Sequence, residues 1–93
     1  MVRNGPGDPG FITEVKTMKE PGNNALKRAI NKASDQAGPE GKVVIDGRGV
    51  GTIQSDAERA FKRALGQPGK VVAKHVHVIL EDGSMTEFEN EQL

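Results

Sequence analysis

Two stretches of this chain carry their apolar residues on one narrow helical stripe, and each lies between runs rich in β-branched residues. Leu26, Ala29, Ile30, Ala33 and Ala37 recur at the spacing of a single helix face, and so do Ala57, Ala60, Phe61, Ala64 and Leu65. A helix with one apolar stripe covers a flat surface and does not sit inside a core. FITEVKTM at 11–18, KVVID at 42–46, the run 71–80 and the run 85–88 can supply that surface as strands. The predicted order is β-α-β-α-β-β. Strands alternating with helices predict parallel pairing, and Asp82-Gly83 predicts a closing antiparallel hairpin. The expected fold is α+β, a two-layer sandwich with two amphipathic helices packed on a mixed sheet of about four strands.

Composition narrows this further. The chain has 93 residues, with three Phe and neither Trp nor Tyr, so its core is small and built from Val, Ile, Leu and Ala. That favours two layers over three in a single domain. Without cysteine there is no disulfide framework and no thiolate zinc site. No apolar run approaches the ~18 residues of a membrane span, so this domain is not expected to insert into a membrane.

Punctuation sets the boundaries. Asn23 or Asn24 is expected to cap the first helix, and Gly38-Pro39 to end it. Ser55-Asp56-Ala57-Glu58 reads as a capping box opening the second helix, which Gly66 and Pro68 close. The Gly/Pro-rich residues 1–10 read as the end of a linker from a longer chain, and residues 11–90 as the domain.

The formal net charge of zero conceals a division. Residues 1–77 hold 13 Lys and Arg against 8 Asp and Glu, a net of +5; residues 78–93 hold five acids and no base, a net of −5. The helical bases Lys27, Arg28, Lys32, Arg59, Lys62 and Arg63 either track a phosphate backbone or form two solvated helix faces. No aromatic residue interleaves them, so no stacking platform for bases is encoded.

Three groups carry potential chemistry. Glu14 and Lys16 are two apart on a strand, so an acid and an ammonium emerge on one side. Restriction-endonuclease-like nucleases use such a pair, the acid holding a divalent metal and the lysine polarising water or phosphate. A cross-charge pair on a surface strand satisfies the tripeptide equally, and the only acid upstream is Asp8. Asp46-Gly47-Arg48-Gly49 follows a strand: its glycines would let the backbone approach a phosphate that Arg48 could clamp, or Asp46 pairs locally in a plain connection. His75 and His77 share a strand face and have the acid–base range that a metal-independent ribonuclease needs; they could also be ordinary exposed histidines, or hold zinc with a carboxylate.

In sequence, FITEVKTM, ALKRAINKASDQA, KVVIDGRGVG, SDAERAFKRALG and VAKHVHVILEDG follow one another over roughly residues 8–84. Their order, more than any single segment, resembles the C-terminal nuclease domains of contact-dependent growth inhibition toxins and related bacterial polymorphic toxins. The resemblance implies an endoribonuclease directed at tRNA, of the barnase/EndoU/colicin/RelE-like group that works without metal or other cofactor. It implies delivery as part of a larger secreted or cell-surface toxin, action in the target-cell cytoplasm, and neutralisation by a cognate immunity protein. Some such toxins use elongation factor Tu as a partner, which adds it to the expected partners. On this reading the RNA 2′-hydroxyl attacks its own phosphate, His75 or His77 transfers the proton, and Lys16 and Arg48 stabilise the developing charge. If the strands are neighbours, the three pairs are expected to converge on one patch. The alternative is a metal-dependent DNase with Glu14 and Asp46 as ligands. A non-catalytic binding module such as an immunity protein fits the basic body poorly.

Overall fold

The computed structural model describes Val2–Arg3 and residues 12–92, and the expected architecture is present. Its elements are β1 (Val2–Arg3), β2 (Ile12–Thr17), α1 (Asn23–Ala37), β3 (Lys42–Asp46), a 3-10 turn (Arg48–Val50), α2 (Gln54–Leu65), β4 (His75–Ile79) and β5 (Met85–Glu89). The strands form one mixed sheet in the order β1-β2-β3-β4-β5. β2, β3 and β4 run parallel, and β4–β5 is an antiparallel hairpin. The short β1 pairs antiparallel with β2, so two residues of the stretch read as linker join the sheet. Phe11 and Asp8 lie outside the described residues.

Each parallel step crosses through one helix and moves the same way along the sheet. Crossovers of the one strongly preferred hand therefore put both helices on the same side. Val43, Ile45, Val76 and Val78 face that side with no exposed surface. They pack with Leu26, Ile30 and Ala33 of α1 and Ala57, Ala60, Phe61 and Ala64 of α2. The alanines among these keep the helix layer close to the sheet, which is how a chain so poor in aromatics fills its core. The other side of the sheet has no covering layer among the described residues.

Local capping differs from expectation at both helices. α1 begins at Asn23 after Gly22, whose φ of 98° suits glycine, and no side chain caps it. The Asn23 and Asn24 side-chain oxygens instead accept from Arg63 Nη1 of α2, at 2.7 Å for Asn23, so they tie the two helices together. α2 begins at Gln54, before Ser55, again without a side-chain cap. Glu58 is taken by Gln54 Nε2 at 3.0 Å, which dissolves the expected capping box.

The run expected as a strand from Val71 to Leu80 is strand only over His75–Ile79. The backbone before it bonds elsewhere. Ala73 N donates to Ser34 Oγ at 3.0 Å, Lys74 N to the Pro39 carbonyl at 2.8 Å, and the Val72 carbonyl accepts from Asn90 Nδ2 at 2.7 Å. Asn90 is 2 % exposed and closes the chain end onto this segment, its own N–H bonding the Lys74 carbonyl. Asn90→Ala strands a buried carbonyl, so it should cost ~1–3 kcal/mol. Thermal unfolding followed by circular dichroism should show a midpoint lowered by several degrees; an unchanged midpoint would contradict this role.

Candidate functional site

In-register strand partners share a sheet face, so the pairing sorts the chemistry. The uncovered face carries three rows: Thr13, Lys42, His75 and Glu89; then Val15, Val44, His77 and Glu87; then Thr17, Asp46, Ile79 and Met85. The helix-covered face carries Glu14 beside Val43 and Lys16 beside Ile45. The expected convergence of three pairs therefore fails: Glu14 and Lys16 stand on one side of the sheet, and Asp46, His75 and His77 on the other. The physical reason is strand parity. Glu14 aligns with Val43, whose side chain must be inward because it is core. The same separation keeps Glu14 and Asp46 from serving one metal ion.

Around His77 the uncovered face gathers both basic and acidic groups. His77 Nε2 lies 3.6 Å from Glu87 Oε1, and the His77 side chain is only 14 % exposed. That distance is an electrostatic contact, too long for a hydrogen bond. Contacts of this kind often tighten when substrate binds. Burial pushes the His77 imidazole below its ordinary value; the Lys42 charge and His75 add to the shift, and Glu87 opposes it. That shift favours the neutral imidazole, a proton acceptor, and Glu87 stands where it would stabilise a cation formed there. His75 is exposed, between Lys42 and Glu89 in the adjoining row.

Lys42, Glu87 and Glu89 were not singled out by sequence reasoning. A readable signal existed: a hairpin centred on Asp82 sets His77 opposite Glu87 and His75 opposite Glu89.

Asp46 and Arg48 form a closed local pair. The Asp46 carboxylate accepts from Arg48 Nε at 3.1 Å, Nη2 at 2.9 Å and the backbone N–H at 3.1 Å. These bonds hold the Asp46 carboxyl below the usual carboxylate range and raise the Arg48 guanidinium. Arg48 is more than half exposed and keeps further donors for an anion. Gly47 serves an internal approach: a Cβ there would overlap the Thr52 side chain, whereas Gly49 has open space.

The helical bases are displayed on the helix layer, away from the histidines. Arg59, Lys62 and Arg63 line a hollow of about 400 Å³ with Asn23, next to the start of α1. Arg28 and Lys32 line a second hollow with Lys16, and Lys27 is half-buried on α1. No helix among the described residues is long and apolar enough to cross a membrane. Comparisons with protein-family models, with curated proteins and with solved structures found no match.

Proposed function

We propose that this domain is an endoribonuclease that cleaves RNA by metal-independent transesterification on the uncovered sheet face. The observation that carries the reading is the largely buried His77 placed 3.6 Å from Glu87 on the uncovered face, with Lys42 and His75 in the adjoining row. His77 takes the proton of the RNA 2′-hydroxyl. The freed O2′ attacks the adjacent phosphorus, and the bond to the 5′-oxygen breaks. His75 protonates that leaving oxygen, giving a 2′,3′-cyclic phosphate and a 5′-hydroxyl. Lys42, paired with His75, takes the place expected of Lys16 in stabilising the developing phosphorane charge, and the free donors of Arg48, which is held on Asp46 at the end of β3, can assist.

The toxin resemblance supports tRNA as the substrate, with the domain acting in a target-cell cytoplasm as the effector of a larger delivered protein. It also supports a cognate immunity protein as inhibitor and elongation factor Tu as a further partner. The purified domain should cut tRNA equally with and without EDTA, leave cyclic phosphate ends, and spare plasmid DNA. Intact tRNA, or cleavage abolished by EDTA, would overturn the reading.

A further inference from the structure

The groove between the end of β2 and α1 has no part in the chemistry just described, yet its walls are strongly cationic. Lys16 rises from β2, Lys19 follows the strand end, and Arg28 and Lys32 project from α1. The small side chains of Ala25 and Ala29 leave a hollow of about 360 Å³ between them. The one acid on its wall is Glu20, 3.5 Å from Arg28 Nη2. Both partners of that pair are well exposed, so it binds Arg28 weakly. Lys16, Lys19 and Lys32 have no carboxylate within ion-pair distance among the described residues. Clustered cations repel one another, and nothing in the packing of the core requires them here.

We propose that this groove binds the phosphate backbone of RNA at a distance from the scissile bond. Lys16 is inward of the sheet and His77 outward, so one phosphodiester cannot touch both. The groove therefore selects RNA long or folded enough to present a second run of phosphates around the β2 side of the sheet. The proposal rests on the ribonuclease reading for the identity of its occupant.

The test is binding of a tRNA-length, 2′-O-methylated RNA, which cannot undergo the transesterification. Its affinity is measured by fluorescence anisotropy across a salt series, with folding of every variant verified by circular dichroism. The combined variant Lys16→Gln, Arg28→Gln, Lys32→Gln should bind about tenfold or more weakly near ~0.1 M salt. Its slope of log affinity against log salt should be shallower by roughly 2, since each phosphate that is no longer neutralised removes about 0.7. A control that removes a charge outside both the groove and the other helical bases, Lys70→Gln, should weaken binding much less per charge removed. Unchanged affinity and slope in the groove variant, or equal weakening per charge in the control, would overturn the proposal. Because the probe is not cleaved, an inactive wild-type domain would defeat the ribonuclease reading and leave this measurement able to decide the groove.

Discussion

His77→Ala should slow tRNA cleavage by ~10²–10⁴-fold, the usual worth of a positioned proton-transfer group. The imidazole must be neutral to accept the 2′-hydroxyl proton, and burial together with Lys42 and His75 lowers its pKa from the ordinary histidine value. The acidic limb of kcat/KM should therefore lie below ~6.5, the ordinary value for histidine. Glu87 raises the pKa, so Glu87→Gln should move that limb to still lower pH. Folding carries the same sign. Between the lowered value and the ordinary one the unfolded chain binds the proton more readily, so this contribution to stability is complete above ~6.5 and is lost as pH falls through the folded value. A folded His77→Ala variant that cuts at the wild-type rate, or an acidic limb at or above the ordinary histidine value, would remove His77 from the mechanism.

The largest expected effect on stability comes from Phe61→Ala. Phe61 is 7 % exposed and stacks on Phe88 with ring centroids 4.7 Å apart and an interplanar angle of 16°. Phe-to-Ala changes in a core cost ~3–5 kcal/mol, a large part of the ~5–15 kcal/mol that holds a typical domain folded. The thermal midpoint should drop by well over ~10 °C. Phe61→Leu should recover most of the stability because it refills most of the volume. The stack also ties α2 to β5 at the residue next to Glu87, and so helps to fix Glu87 opposite His77. Phe61→Ala measured well below its midpoint should therefore lose cleavage activity as well. A midpoint within a few degrees of wild type would show that the stack contributes little.

The layer architecture was legible because it depends on periodicity, which a sequence displays directly. Leu26, Ile30 and Ala33 announce one helix stripe, and Ala57, Ala60 and Ala64 another; all six are buried where that pattern puts them. The hairpin was legible from Asp82-Gly83. The site was less so, because it depends on which way each strand turns its faces. Nothing local in Glu14-Val15-Lys16 reveals that its charged pair lies on the helix side and its valine, 62 % exposed, on the other. Only pairing with Val43 and Ile45 settles that. The caps failed for a similar reason: Asn23 and Asn24 are good capping residues that a distant arginine claimed first. The start of β4 gave way to Ser34, Pro39 and Asn90, none of which is near it in sequence.

A sheet covered on one side divides its strands into two sets of positions that can drift separately over evolutionary time. Val43, Ile45, Val76 and Val78 answer to packing, and change at any of them disturbs the whole fold. Lys42, Val44, His75, His77 and Ile79, interleaved with them, answer only to whatever meets the outer face. Related chains could exchange one reactive constellation for another at these alternate positions while the interior stays as it is. A domain whose partners must match its outer face would gain new specificities by that route without having to refold around them.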